Sequence, residues 1–257
     1  MDDAAVLALL ERADAAVGLP RLGGMARPDA VAIVSEDSWA LSSVDGSLRV
    51  RSLPHQRRLE RIPLVRGLVR LGRALVPLFA RGGTVSLRER ALLVALLAVP
   101  AGLSRLPHPL SVVGLVAATV GLLAWVFRGR TLFLHGAEHR AIAAAEARSL
   151  VRTWNGEVRP SRFSTRCGTN FAALVIPVTF ALERVWIAPF APVLLPLCAL
   201  AVTMELWLAI QRLPRAVGRL LLAPGLALQR LTTREPALDE TRVALRAVAA
   251  VLERSGI

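Results

Sequence analysis

Lysine and tyrosine are absent from this 257-residue chain, so all 32 of its basic residues are arginine. Only 19 acidic residues oppose them, which leaves a formal net charge of +13. Two cysteines, Cys167 and Cys198, are too few for the disulfide framework of a small secreted domain. Hydrophobic residues make up 54% of the chain, more than the roughly 45–50% of soluble domains. This composition excludes disorder and collagen, and it favours a membrane protein.

The excess of arginine has two readings, a nucleic-acid surface or the basic flanks of a membrane protein. The arginines cluster on either side of apolar runs, which is the pattern of the second reading. Anionic lipid headgroups are therefore the expected partners, and nucleic acid is not expected. The first 20 residues include Asp2, Asp3 and Glu11 and have no basic start, so no cleavable signal peptide is predicted.

Residues 1–56 are predicted to form a cytoplasmic N-terminal segment that contains the only β structure in the chain. Alternation of apolar and polar residues favours strands, and the pair Asp45-Gly46 is typical of a tight hairpin turn. The predicted elements are an amphipathic helix over 3–17, a loop at Gly23-Gly24, a strand over Ala30–Val34 and a β-hairpin over Ser38–Arg51.

Residues 57–254 are predicted to form a mainly α-helical membrane domain. A basic amphipathic helix at 57–79 is expected to lie along the membrane surface, and further amphipathic helices are expected at 213–254. Between them lie four apolar segments, which we expect to form two transmembrane or re-entrant hairpins. The four segments are 91–103, 110–127, 171–182 and 191–210.

The arginine distribution predicts the orientation of this multi-pass domain. Eleven arginines lie between Arg49 and Arg90, eight between Arg128 and Arg166, and eight from Arg212 onward, while each hairpin turn has one. By the positive-inside rule, the loop over 128–170 and both termini are cytoplasmic. The expected location is therefore the inner cell membrane.

The sequence His135-Gly136-Ala137-Glu138-His139 in this loop is the strongest chemical motif. On a helix, His135, Glu138 and His139 share one face, which Glu146 extends. Two imidazoles one turn apart can share a divalent metal, and the spacing also fits the H-x-x-E-H pattern of some zinc peptidases. Hydrogen bonding at a polar membrane boundary is the simpler alternative.

A second polar cluster, Arg166-Cys167-Gly168-Thr169-Asn170, precedes the third apolar segment on the same predicted side of the membrane. A reduced cytosolic thiol suits zinc, which makes Cys167 a further predicted ligand. Capping of the next helix is the simpler role for Thr169 and Asn170. Glu205 is the one acid inside a predicted membrane segment and is kept as another candidate, unless it only pairs with Arg212.

Several ordered motifs resemble the YqhQ-like membrane proteins, a family of unknown function. They are H-G-A-E-H at 135–139, R-C-G-T-N at 166–170 and Q-R-L-T-T-R-E-P at 229–236, within a resemblance that spans about residues 22 to 254. The resemblance implies a polytopic membrane protein described as a predicted metal-dependent enzyme. The site positions that it implies are His135, Glu138, His139, Glu146, Cys167 and Glu205.

The sequence thus predicts a cytoplasm-facing divalent-metal site, with zinc as the expected ion. His135, His139, Cys167 and Glu146 are the predicted ligands, and Glu138 is the predicted general base of a hydrolase that acts on a membrane-associated substrate. The alternative is a non-enzymatic membrane scaffold or assembly factor with a structural metal or a hydrogen-bonded polar cluster. The oligomeric state stays open, a homo-oligomer included.

Overall fold

A computed structural model describes residues 1–53, 59–79, 83, 85–103, 105–185 and 191–257 of the protein. Helices predominate, and a small antiparallel sheet lies near the N-terminus. The predicted fold class, mainly α with N-terminal β structure, is confirmed at this level.

The N-terminal part consists of one helix and a four-stranded meander. Helix α1 (Asp3–Ala15) begins where the Asp2 carboxylate accepts a hydrogen bond from the backbone N–H of Ala5. The strands follow in the spatial order β1-β2-β3-β4, and every neighbouring pair is antiparallel. They are β1 (Gly23–Ala26), β2 (Ala30–Val34), β3 (Ser38–Ser43) and β4 (Leu48–Ser52).

The sheet has one strand more than the sequence predicted. The predicted hairpin is present as β3 and β4, with Gly46 in the left-handed region at a φ of 85°. The prediction of a loop at Gly23-Gly24 was wrong, because these residues begin β1 and pair with β2. Glycine is depleted in strands, so the sequence pattern favoured a loop there. A Cβ at Gly24 would lie 2.7 Å from the carbonyl oxygen of Ala32, a clash that only glycine avoids.

The helical part begins with a 3-10 turn at Leu59–Arg61. The α-helices that follow are α2 (Val65–Phe79), α3 (Leu87–Leu103), α4 (His108–Val126), α5 (Thr131–Glu146), α6 (Leu150–Trp154), α7 (Gly168–Val185), α8 (Ala191–Ile210), α9 (Arg215–Leu221), α10 (Ala223–Thr232) and α11 (Leu238–Arg254).

Helix α11 lies at the centre of the largest core rather than along a surface. Its apolar face, which includes Val243, Leu245, Val248 and Leu252, is buried. It packs against α5 and against β2 and β3, with α1 and α6 at its sides. The first and last parts of the chain therefore share one hydrophobic core, which also holds α5 in place.

The basic helix predicted at 57–79 is present only from Val65, as α2, because Leu59–Arg61 form a 3-10 turn that is not continuous with it. Arg57 and Arg58 lie outside the described residues. Helix α2 packs against α8, and Arg66 forms an ion pair with Glu205. Val76 packs against a smaller hydrophobic cluster of the sheet, which includes Trp39 and Leu41. Protein contacts therefore hold part of this helix, and its contact with lipid stays a prediction.

One helix of the described chain, α4, is long and apolar enough to cross a membrane. It has 19 residues and a mean hydropathy of 2.0, and none of it is buried inside the protein. Helix α3 packs against it, α7 packs against α8, and the apolar part of α8, Leu194–Ile210, is shorter. Of the four predicted apolar segments, the structure supports one, at α4, as a candidate membrane span. The multi-pass topology and the cytoplasmic termini stay predictions.

Candidate metal centre

Helix α5 places His135, Glu138 and His139 next to one another, as the helical spacing predicted. The two imidazole rings lie with their centroids 4.5 Å apart. Glu138 and His139 are 4% and 2% exposed, because α5 is covered by β1, β2 and α11. The three polar side chains consequently lie between the core and a small cavity, rather than on a solvated helix face.

Backbone carbonyl groups orient both histidine rings. The Nδ1 atom of His135 lies 2.8 Å from the carbonyl oxygen of Thr232, and that of His139 lies 2.6 Å from the carbonyl oxygen of Arg162. A carbonyl oxygen only accepts, so each Nδ1 is the donor and each neutral ring has its lone pair on Nε2. This is the tautomer of metal-binding histidines whose outer nitrogen is held by a second layer of hydrogen bonds.

Gly136 allows the chain around Thr232 to approach α5. A Cβ at this position would lie only 2.1 Å from the carbonyl oxygen of Arg234. The N–H of Arg234 donates to the carbonyl oxygen of Leu132 at 2.8 Å, which fixes the approach. The glycine of the H-G-A-E-H motif therefore explains how Thr232 reaches His135.

Arg140 anchors the segments that supply both carbonyl groups. Its side chain is buried, and it donates to Glu235 at 2.6 Å, to the carbonyl oxygen of Pro160 and to that of Pro236. Arg162 forms a second ion pair with Glu235. The two loops that flank α5 are thus tied to the helix and to each other.

Cys167 completes a group of three metal-ligand atoms. Its Sγ lies 3.3 Å from Nε2 of His135, and ligand atoms of His135, His139 and Cys167 all lie within 4.8 Å of one another. The hydroxyl group of Thr169 donates to the sulfur at 3.2 Å. Helix α7 begins directly after the cysteine and so determines where the sulfur lies.

The Cys loop (residues 161–167) is held by buried amides. Gln229 of α10 donates to the carbonyl oxygen of Ser164 and accepts from the N–H of the same residue. Asn170 also donates to that carbonyl oxygen, and its side chain lies against Gly225, where a Cβ would be 2.3 Å from Oδ1. Asn170 therefore holds the loop, whereas capping of α7 was the role that the sequence favoured.

Glu138 is the buried carboxyl group of the centre. Its Oε2 atom has no hydrogen-bond partner among the described residues, and neither has Nε2 of His139. Burial raises the pKa of Glu138 to about 8. Two orphaned polar atoms beside a thiol are unusual in a folded protein, where buried polar groups are nearly always paired.

Burial also disfavours charge on the other three side chains. The pKa of His139 is lowered to about 3 by burial and by the nearby His135, whose own pKa is lowered mainly by burial. The pKa of Cys167 is raised to about 11 by burial and then by the charge of Glu138. The two imidazole nitrogens and the thiol are donors for a borderline metal ion, and none of these side chains has a positive charge. A bound cation would supply positive charge at this place and would favour the thiolate form of Cys167.

Two predicted site residues are not brought into this group. Glu146 lies two turns further along α5, half-exposed, and forms an ion pair with Arg166. Glu205 forms its ion pair with Arg66 of α2 and accepts the N–H of Leu64, so the suggested pairing with Arg212 is replaced. Both carboxylates are bound to guanidinium groups rather than to the histidines.

A cavity of about 310 Å³ opens beside the three ligands and Glu138. Its walls come from strand β1, the C-terminal end of α4, helix α5 and the Cys loop. Val126 and Phe127 line it where the candidate membrane helix ends. The sequence analysis did not predict that β1 lines the site or that the carbonyl groups of Thr232 and Arg162 orient the histidines. The Q-R-L-T-T-R-E-P motif at 229–236, which contains Thr232, was the one signal for the segment that orients His135.

A family model described as "Protein of unknown function (DUF1385)" matches residues 116–254. The match covers more than half of the chain, and it includes α5, the Cys loop and α11. Comparison with curated proteins finds no match, and comparison with solved structures finds none either.

Proposed function

This chain belongs to the DUF1385 family, whose description assigns no activity. From the residues of the cavity and its position we propose that the protein is a membrane-associated, metal-dependent hydrolase. Its resident ion is a divalent transition metal, with zinc expected, since imidazole nitrogen and thiolate are the ligands that zinc prefers. The earlier resemblance to YqhQ-like membrane proteins suggests the same chemistry.

The observation that carries this proposal is the pair of buried, unpartnered atoms beside the thiol. The Nδ1 atoms of His135 and His139 are occupied by carbonyl groups, which leaves both Nε2 lone pairs available. Ligand atoms of both rings lie within 4.8 Å of the sulfur of Cys167. These three residues would hold the ion. Glu138, whose Oε2 is also unpartnered, lies in the same cavity wall. The donor set therefore fits the ion, and Glu146 is not needed for it.

The remaining groups support hydrolysis rather than a structural metal. When bound, the ion polarises a carbonyl group and lowers the pKa of water. Glu138 can accept a proton from a water molecule and later release it, since its pKa of about 8 lies near neutral pH. Structural zinc sites are closed by four protein ligands, whereas three ligands next to an open cavity leave room for a substrate.

The position of the cavity suggests a substrate at the membrane. Val126 and Phe127, which line it, form the end of the one candidate membrane helix in the described chain. We propose that the cavity faces the cytoplasm at the inner cell membrane, with both termini on that side and anionic lipids around the arginine-rich surfaces.

The experiment is metal analysis of the full chain, purified in detergent without chelators. We expect about one zinc ion per chain in the wild type. His139→Ala and Cys167→Ser should lose most of it, since each removes a ligand. Cys198→Ser is the matched control, because Cys198 lies on α8 and outside the group, and it should retain the metal.

Glu138→Gln separates the base from the ligands. It should retain the metal and abolish hydrolysis, because an amide cannot accept the proton of water. Metal-free wild-type protein would overturn the proposal. The polar cluster would then be a hydrogen-bonded one, as in the scaffold hypothesis. Full activity in Glu138→Gln would reject the role of the base.

A further inference from the structure

Strand β1 is an edge of the sheet, and within the described part of the chain β2 is the one strand that pairs with it. An edge strand has unpaired backbone groups to which another extended chain can bind. Proteins commonly protect such edges with charges, prolines or covering loops. Strand β1 instead has the sequence Gly23-Gly24-Met25-Ala26, in which Gly24 is exposed.

The register shows which groups of β1 are directed away from β2. The N–H of Arg27 donates to the carbonyl oxygen of Ala30 at 2.8 Å, so this pair is a hydrogen-bonded one. Hydrogen-bonded and non-bonded pairs alternate in an antiparallel ladder. Gly24 and Ala26 therefore belong to non-bonded pairs, and their N–H and C=O groups are directed outward. No hydrogen bond to these groups is present among the described residues.

This free edge borders the candidate metal centre. Gly24 and Ala26 line the same cavity as His135, Glu138 and Cys167. Gly24 lies against Glu138, since a Cβ at this position would lie 2.9 Å from the carboxyl carbon of Glu138. A chain that paired with this edge would run past Glu138 and the three ligands.

We propose that the substrate is an extended peptide, which adds a strand to the free edge of β1 and so brings one of its amide bonds to the centre. This inference rests on the proposed metal-dependent hydrolysis and names its substrate class. The edge offers two N–H donors and two C=O acceptors, repeated every two residues, or about 7 Å. A peptide backbone has the complementary pattern, and recognition by strand addition is a common mode of peptide binding.

The chemistry of the cavity favours a peptide over a lipid headgroup. A phosphate group that only accepts hydrogen bonds would leave the carbonyl groups of Gly24 and Ala26 unpaired. The apolar walls formed by Leu22, Val126 and Phe127 suit side chains of an extended segment. The position at the end of α4 indicates segments close to a membrane.

The reaction is hydrolysis of an amide with water as the co-reactant. The oxygen of water forms a bond to the carbonyl carbon of the peptide, and Glu138 accepts a proton from that water. The C–N bond then breaks, and the proton passes from Glu138 to the departing amine nitrogen. The products are a carboxylic acid and an amine, and the proton of the acid passes to the amine to leave a carboxylate and an ammonium group. No redox step or further reactant is needed.

The test measures binding with two proline variants. Ala26→Pro removes an outward N–H beside the centre while the ladder with β2 keeps its hydrogen bonds. Val50→Pro is the matched control, since Val50 lies opposite Ala40 in a non-bonded pair of β4, at the other edge of the sheet. Both variants also carry Glu138→Gln, which prevents turnover, and each is the full chain in detergent with zinc.

The probe is a fluorescent mixture of random-sequence decapeptides, followed by anisotropy. We expect Ala26→Pro to weaken binding roughly two- to tenfold, which corresponds to the loss of one hydrogen bond. Val50→Pro should bind as tightly as the parent. Hydrogen exchange should also slow in residues 22–27 when the peptides are added to the parent protein.

Equal binding by the two proline variants, or unchanged exchange in residues 22–27, would overturn the peptide proposal. Slower exchange with phosphatidylglycerol vesicles but not with peptides would replace it by a lipid substrate, and slower exchange with inorganic phosphate alone would also reject it. Zinc content is measured on the same samples. Bound zinc without peptide binding contradicts only the peptide inference. Absence of zinc contradicts the proposed function, while anisotropy and hydrogen exchange still show whether peptides bind at the edge of β1.

Discussion

At the scale of single residues, close backbone approaches are as important to the candidate centre as its ligands. At Gly136 and at Gly24 a side chain would collide with a backbone carbonyl oxygen, that of Arg234 and that of Ala32 respectively. Gly136 lets the segment around Thr232 orient His135, and Gly24 lets β1 lie against Glu138. Two glycines thus determine how tightly the helix with the H-x-x-E-H motif is enclosed.

Gly136→Ala should therefore disturb both stability and metal binding. Its Cβ would lie 2.1 Å from the carbonyl oxygen of Arg234, so backbone must move, at a cost of about 1–3 kcal/mol. We expect a lower melting temperature in detergent and less bound zinc. Gly72→Ala is the matched control, because a Cβ at Gly72 in α2 meets nothing within 4 Å. It should be neutral or stabilising by up to about 1 kcal/mol, and an equal loss in both variants would contradict the argument.

At the scale of elements, the Cys loop depends on a helix far away in sequence. Gln229 lies on α10, is fully buried, and makes two hydrogen bonds with the backbone of Ser164. It is tied to the same helix–loop–helix region whose Thr232 orients His135. Helix α10 thus positions the thiol and one imidazole together, so the candidate metal centre is an assembly of three segments rather than a property of α5 alone.

Gln229→Ala should loosen this loop without touching a ligand. The N–H of Ser164 would lose its partner, while the carbonyl oxygen of Ser164 would keep the hydrogen bond from Asn170. An unsatisfied buried donor costs about 1–3 kcal/mol, and Ser164 is partly buried, so the lower end applies. We expect a lower melting temperature and weaker zinc retention against a competing chelator. Gln211→Ala, a change of the same type at a partly exposed position, should have little effect on either. Unchanged zinc retention in Gln229→Ala would show that α7 alone positions Cys167.

At the scale of the whole molecule, the apolar side chains of α4 are exposed, whereas those of the main core around α11 are buried. Helix α4 has exposed apolar side chains along its length, Val113 and Val116 among them, whereas α11 buries almost all of its apolar face. The candidate centre lies between them, in a cavity that α4 closes at one end. The candidate centre therefore lies next to the end of the one helix in the described chain that could cross a membrane.

Charges placed in α4 should reduce membrane insertion. Val113→Arg together with Val116→Arg puts two charges in the apolar stretch, at a cost of about 2.5–3.5 kcal/mol each near the centre of a bilayer. We expect the protein to shift from the membrane fraction to the soluble or degraded fraction. Leu231→Arg, at an exposed position of α10, is the control and should leave fractionation unchanged. Normal membrane recovery of the double variant would show that α4 is not the anchor.

The sequence by itself determined the features that depend on local, periodic order. The helical repeat put His135, Glu138 and His139 on one face, and the uninterrupted apolar run predicted α4. It also indicated the hairpin of β3 and β4, because Asp-Gly turns favour a particular local geometry.

Only the tertiary structure decided which polar residues meet. Glu146 follows the same helical face but lies beyond the cavity, where Arg166 pairs with it. Gly23 and Gly24 belong to a strand because they pair with β2, and at Gly24 the carbonyl oxygen of Ala32 and the side chain of Glu138 leave no room for a Cβ. No local propensity expresses either contact. The carbonyl groups that orient the histidines come from Thr232 and Arg162, at 97 and 23 residues' distance along the chain. Such contacts arise from packing of the whole chain, because hydrogen bonds to backbone groups depend on position rather than on residue type.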